Sequence, residues 1–301
     1  MAEERRFDIV LLGATGVVGS RAAEHLAARA PASMRWGLAG RDGARLEALR
    51  ARLAERDPRL EPPAVVVLDA ADGEALAELA RSARVMMSAL GPYLENGGAA
   101  VAACAAAGTD YVDVAAEAEF VDGTYLRNQA GALASGARLV HCCGVESLAA
   151  DLGTRFTVEQ LPTGVPIAID AVLDMGLDGL RDLLGRLSAG SLSSAVAMLA
   201  RWRRAAAARS ERRAREPEPA GRRVRVLRRA PRRGSARGTW LLPAPALDAR
   251  YVGRSAAALA RYGPDFSYSQ QVAVSSARAV LETLAGGAAG LLLAQWPPTR
   301  R

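Results

Sequence analysis

Three glycines recur at equal spacing in residues 11–20, LLGATGVVGS: Gly13, Gly16 and Gly19. Each can do a different job in a turn that leaves a strand and enters a helix. The first permits the tight turn, the second lets the backbone approach a pyrophosphate, and the third lets the helix lie close on the sheet. Free N–H groups and the positive end of the helix dipole then meet the phosphates. The flanks have the required character, with an apolar run FDIVLL at 7–12 and an amphipathic run at 17–30. Gly13, Ala14, Thr15, Gly16, Val17, Val18 and Gly19 are therefore the candidate pyrophosphate cradle of a dinucleotide. The spacing is G-x-x-G-x-x-G, a variant of the more common G-x-G-x-x-G, and a ligand-free glycine turn is the competing reading.

The residues after the next two strand-like runs bear on which dinucleotide. Arg41, in GLAGRD at 37–42, stands 22 positions after Gly19. An acidic residue there would bind a ribose 2′-hydroxyl, whereas an arginine accommodates a 2′-phosphate. Arg41 thus favours NADP over NAD, with Asp42 beside it as the counter-indication. Asp69, in LDAAD at 68–72, is placed to reach the adenine side or to cap the following helix.

Hydride transfer is the cofactor's chemistry, and the protein positions the ring and can supply a proton. Ligands in open parallel sheets sit beyond the carboxyl ends of the strands. That rule selects Gly91 in GPYLEN (91–96), where the chain can pass close to a cofactor. It also selects Tyr93 in the same stretch and His141 in HCCGVES (141–147). Tyr93 is a candidate general acid, against a packing role for its ring. His141 is a candidate because its unperturbed pKa lies near neutrality, against a hydrogen-bonded structural role. Asp113 or Glu117, in DVAAE at 113–117, could line the cleft, with helix capping the favoured reading. Ser147, His141 and an acid could form a triad, but the nucleophile elbow is missing. Cys142 and Cys143 adjoin His141 without the spaced ligands of a zinc site, so no metal is expected.

Behind these residues, strand-like runs at 7–12, 34–39, 64–69, 84–90, 110–115 and 137–143 alternate with helix-like runs at 17–30, 41–56, 72–82, 96–107 and 117–135. Such alternation means an α/β domain with a doubly wound parallel sheet, placed at 1–150. A second, mixed α/β domain is placed at 151–301, with a strand near 166–175 and helical character late in 185–202. Residues 201–238 hold fifteen arginines and three glutamates and read as a mobile loop. An arginine arm for acidic lipid or nucleic acid is a minor reading, and no nucleic-acid partner is expected, since stacking aromatics are absent. Residues 283–296 are apolar, too short to span a bilayer, and end in Trp296. A helix packed into the second domain is the bland reading, and a peripheral lipid contact the sharper one.

The 301 residues carry a net charge of +7, and every one of the 39 basic residues is arginine. Schiff-base chemistry, a Walker-type phosphate lysine and a Tyr-x-x-x-Lys pair are thereby excluded. Three cysteines, two of them adjacent, do not make a disulfide framework. With a charged N-terminus they suggest a cytoplasmic protein, at most peripheral at the inner face of the membrane. Oligomeric state is left open.

Together the stretches DIVLLGATGVVG (8–19), LAGRD (38–42), ALGPYLENGGAAVAACAAAGTDYVDVAAE (89–117), GARLVHCCGVESLAADLG (136–153) and WLLPAPALDARYVGRSAAALARYGPDFSYSQ (240–270) resemble the saccharopine dehydrogenase-like oxidoreductases, and within them the trans-acting enoyl reductases. The resemblance implies a Rossmann-type fold, a nicotinamide cofactor, and reduction of an enoyl thioester of lipid or polyketide type. A non-catalytic NADP-binding sensor or degenerate homologue is the alternative. The family usually has G-F-D-S-x-P-x-D where this chain has Gly144, Val145, Glu146, Ser147, Leu148, Ala149, Ala150 and Asp151. It also usually runs well past residue 301, so the second domain is expected to be incomplete at its C-terminus.

Overall fold

The computed structural model describes residues 5–56, 61–177, 182, 185, 189–216, 221–235, 239–244 and 246–295. Two compact units emerge. One comprises Met1–Cys143 with Ala205–Arg212, and the other Gly144–Arg204 with Arg213–Arg301.

The first unit is a six-stranded parallel sheet of β1 (Phe7–Leu12), β2 (Trp36–Gly40), β3 (Ala64–Val67), β4 (Ala83–Ser88), β5 (Asp110–Asp113) and β6 (Leu139–Val140), in the order β3-β2-β1-β4-β5-β6. This 3-2-1-4-5-6 order is the doubly wound dinucleotide-binding arrangement, with its chain reversal between β1 and β4. Buried Val10, Leu11, Leu12, Leu38, Ala39 and Met86 make the central strands apolar on both faces, as a sheet covered by helices on both sides requires. The helices are α1 (Val17–Arg29), α2 (Gly43–Arg56), α3 (Gly73–Ser82), the single turn α4 (Tyr93–Asn96), α5 (Gly98–Ala107) and α6 (Ala118–Ser135). On one side Ala23 of α1 and Leu46, Leu49 and Leu53 of α2 join Leu11, Trp36 and Leu38 in one apolar cluster. On the other, α5 lies between α3 and α6. Its run GAAVAACAAA has only Val101 and Cys104 as larger buried side chains, and that slimness suits a central position.

Arg5, just ahead of β1, ties the end of this sheet together. Its guanidinium donates to the carbonyls of Ala80, Ala83, Ala107 and Gly108 and to the Thr109 hydroxyl. A planar fork of five N–H donors suits such a cluster of acceptors.

The second unit is built on β11 (Asp265–Val274), whose residues are almost all buried. Strand β7 (Ile167–Leu177) pairs with it in parallel along one edge. On its other edge β8 (Arg223–Leu227) runs parallel to the first half and β10 (Trp240–Pro243) antiparallel to the second half. Strand β9 (Arg232–Arg233) follows β10. Helix α7 (Val145–Glu159) packs beside the helix Ala246–Ala258. Val158, Val252, Ala256, Tyr262, Phe266 and Tyr268 form the core. A further pair of helices, Ala189–Ala200 and Ala277–Gln295, lie against each other.

The arginine-rich stretch corrects the expectation of a loop. It contains the helix Trp202–Arg215 and strands β8 and β9. The alanines at 205–208 and the long unbranched arginine stems are good helix formers. In β8, Val224 and Val226 alternate with arginines and give the strand an apolar side against its neighbours. Pro217 and Pro219 lie outside the described residues, as does Trp296. No helix among the described residues is long and apolar enough to cross a membrane.

Two outcomes test this account. Arg5→Ala removes the donor to the Ala107 and Gly108 carbonyls, while Ala80 and Ala83 keep the Thr109 hydroxyl, so urea unfolding should show a loss of about 1–3 kcal/mol. Asp151 on α7 accepts a hydrogen bond from Ser255, while its other oxygen is buried without a partner. Burial raises its pKa above the ordinary value, outweighing the Ser255 bond and Arg155. With the folded pKa above the unfolded one, its favourable contribution is present below the unfolded pKa and lost as pH rises through the folded one. Asp151→Asn should therefore raise Tm at neutral pH, and the advantage should vanish on acidification below the ordinary carboxylate range.

Candidate functional site

The glycine turn sits where β1 ends. Gly13 has φ of +79°, in the left-handed region that favours glycine. Its N–H and that of Ala14 donate to the Ala39 carbonyl at the end of β2. A Cβ on Gly13 would lie 3.1 Å from the Ala89 and Leu90 backbone at the end of β4. The turn is thus fitted between the ends of its two neighbouring strands, at the chain reversal. A Cβ on Gly19 would lie 2.2 Å from the Gly13 carbonyl oxygen, so α1 can press on the turn only with glycine there.

Gly16 is different. Its φ of −74° and ψ of 171° suit any residue, and an added Cβ would meet only the Gly13 carbonyl at 3.4 Å. Nothing among the described residues requires glycine at this position. It also heads α1 with no side-chain capping bond and no acidic residue in the first turn. Val17 and Val18 beside it are exposed. An open helix N-terminus faced by a bare backbone is what a pyrophosphate needs, so these residues fit a dinucleotide.

Arg41 is exposed directly after β2. Asp42 accepts the Arg45 backbone N–H at 3.0 Å and so caps α2. Its carboxylate is explained by the helix, which removes the counter-indication to Arg41. Arg45, one turn into α2, reaches back to the cradle and donates to the Thr15 carbonyl at 3.2 Å. Sequence reasoning passed over Arg45. Its position four residues after Arg41, at the start of a helix facing the glycine turn, was the available signal. Asp69 is exposed at the end of β3, where it accepts the Ala71 N–H at 3.0 Å; Asp72, not Asp69, caps α3. Gly91 is exposed beyond β4.

Tyr93 and His141 belong to a buried polar cluster at the same end of the sheet. The Tyr93 hydroxyl donates to the Ser88 carbonyl at 2.8 Å, and its ring packs on Phe120. Burial first, then the Asp113 carboxylate, push the phenol far above its ordinary pKa. Its proton is held on a backbone carbonyl in this arrangement. Glu117 accepts the N–H groups of Tyr93, at 3.0 Å, and Leu94, at 2.6 Å. Asp113 accepts from the N–H groups of Ala115 and Cys142 and binds His141 Nδ1 at 2.7 Å. Because a carboxylate only accepts, Nδ1 carries a proton. His141 Nε2 is 3.0 Å from the Thr124 hydroxyl, which is itself fully buried. Both ring nitrogens are engaged within the first unit, and Ser147, in the second, donates to Asp248 at 2.6 Å. Groups of side chains that could hold a metal are absent among the described residues.

Residues 9–140 match the model of the saccharopine dehydrogenase NADP binding domain. The match covers less than half of the chain and marks these residues as similar to that domain. The match spans the cradle, Arg41, Arg45, Asp69, Tyr93, Asp113 and Glu117, and ends one residue before His141. A trans-acting enoyl reductase of Mycobacterium leprae is 40% identical over 150 residues, 50% of this chain and 35% of that one. Another from Mycobacterium ulcerans is 41% identical over 152 residues, with the same coverage. The match thus spans about a third of the length of these relatives. The saccharopine dehydrogenase of Saccharomyces cerevisiae aligns over 55% of this chain and 34% of its own, with 18% identity and a TM-score of 0.43.

In this NADP-binding domain, Gly16 and Gly19 should separate under mutation. Gly16→Val places a branched side chain in the cradle and should abolish NADPH binding, read by nicotinamide fluorescence, with Tm almost unchanged. Gly19→Ala drives a methyl group into the Gly13 carbonyl and should destabilise the fold by about 3 kcal/mol.

Proposed function

We propose that the protein is an NADPH-dependent reductase acting on an enoyl thioester of lipid or polyketide type. The observation that carries the cofactor half is Gly16: a glycine that no neighbour among the described residues requires, at an uncapped helix N-terminus where Arg45 reaches the adjacent Thr15. The names of the relatives, trans-acting enoyl reductases, support the substrate half. When bound, NADPH supplies the hydride. The residues of this chain divide the remaining work. The first-turn N–H groups of α1 hold the pyrophosphate. Arg41 takes the 2′-phosphate, and Arg45 closes over it from the Thr15 side. Gly91 leaves room for the nicotinamide beyond β4. Tyr93 orders that loop through its bond to Ser88. Exposed Leu281 and Leu284 on the C-terminal helix are the residues on which a peripheral lipid contact would rest.

A second reading, a nucleotide-binding protein without turnover, is favoured by one observation. Tyr93 and His141 both have their polar atoms engaged in buried bonds.

Titration with NADPH and NADH tests the cofactor, and NADPH oxidation in the presence of a short 2-enoyl-CoA tests the chemistry. Arg41→Ala should weaken NADPH by roughly tenfold or more, the scale of one charge-assisted phosphate contact, and leave NADH almost unchanged. Equal losses for both would contradict the assignment. Tight NADPH binding without oxidation of the nucleotide would select the second reading.

A further inference from the structure

Helix α7 wears its apolar side outward. The face it turns to its own unit presents Ser147, Ala150, Thr154 and Val158, all buried. The opposite face carries Val145, Leu148, Ala149, Leu152, Gly153 and Phe156, all exposed. Val145 is 77% exposed, Leu152 58% and Phe156 68%, so these side chains are not packed into the core of their own unit. Their spacing of three and four residues gives one continuous stripe along the helix, the pattern that meets another helix. A surface helix ordinarily places its apolar stripe on the core. Here the inner face is the more polar of the two.

The stripe is complementary to itself when reversed. In an antiparallel pair with its two-fold axis between Ala150 and Asp151, position 145 lies opposite 156, 148 opposite 153, and 149 opposite 152. Large side chains then face small ones, Leu148 over Gly153 and Leu152 over Ala149, while Val145 meets Phe156. Gly153 has open space where a Cβ would be, with no atom of the described residues within 4 Å of it. The same axis sets Glu146 opposite Arg155. Arg155 uses Nε for its bond to Glu159 at 2.9 Å, and that bond lies at the exposed end of the helix. A parallel pair would instead set Glu146 on Glu146 and Leu152 on Leu152.

We propose that the protein forms a two-fold symmetric homodimer through antiparallel pairing of its α7 helices. The pairing is isologous, the same patch serving both copies, as closed dimers require. Its affinity is modest, because one four-turn helix pair falls at or below the low end of the roughly 1,200–2,000 Å² buried by stable interfaces.

Sedimentation velocity on the full chain, from about 1 to 100 μM, tests the proposal. A monomer–dimer equilibrium is expected within that range. Leu152→Glu should weaken it at least about tenfold, as loss of a central apolar contact does, with circular dichroism unchanged. Glu146→Arg and Arg155→Glu should each weaken it, and the two together should restore it, since the reversed pair is again complementary. A chain monomeric at every concentration overturns the proposal, as does a dimer indifferent to Leu152→Glu. A double swap that fails to restore association overturns the antiparallel register. A strictly monomeric chain that floats with anionic vesicles, and ceases to with Leu152→Glu, overturns it in favour of a lipid contact.

Discussion

The approach of α1 to the turn that precedes it governs the cofactor end of the molecule. The Gly13 carbonyl occupies space that any side chain at Gly19 would claim, so the helix lies against the turn with no spacer. Gly13 in turn abuts the backbone that leaves β4 and borrows the Ala39 carbonyl from β2. Three strand ends are thus locked in one layer of backbone. The open N–H groups of α1 have a fixed direction because this layer has no freedom to shift. A dipole and a set of donors are useful to an anion only if they are already aimed before it arrives.

The other half of that sheet end is organised by charge rather than by close approach. Asp113 and Glu117 are each about 2% exposed, so their oxygens need partners from the protein. Backbone N–H groups of the loops after β4, β5 and β6 supply them, and His141 completes the set. The loops that would border a nicotinamide are in this way tied to two buried carboxylates. A cluster of this kind is stable when every member is satisfied and costly when one is removed. Its residues therefore read as framework for the site, with Gly91 and the cradle as its open surface.

Much of this was legible in the sequence, for identifiable reasons. The first six strands and their helices follow from apolar runs broken by glycine, proline and aspartate, and the 3-2-1-4-5-6 order is the usual closure of such a chain. The glycine turn was readable because three glycines at equal intervals stand between a strand-like and a helix-like run. The single turn α4 was not readable: four residues after Pro92 carry no period. Partners were harder still. Nothing local in HCCG says that His141 meets Asp113 and Thr124, because those contacts span 28 and 17 positions. Arg45 was missed because its bond to Thr15 crosses 30 residues. The arginine-rich stretch misled because charge density was read as disorder, whereas the alternation of valine and arginine in β8 and the alanines before it carry ordinary local preferences.

The clamp at Arg5 has a consequence for how the chain acquires its shape during synthesis. The carbonyls and hydroxyl that Arg5 binds lie 75 to 104 positions downstream. β1, which starts two residues later, is a central strand whose second neighbour, β4, begins at Ala83. A ribosome must deliver more than a hundred residues before this arginine finds its last acceptors. Until β4 has been made, the nascent chain exposes an apolar strand with one unpaired edge, the condition in which chaperones engage and edges misassociate. Closure of the clamp can only follow that pairing, so an arginine made early would act as a late latch on a domain whose first strand is also made early.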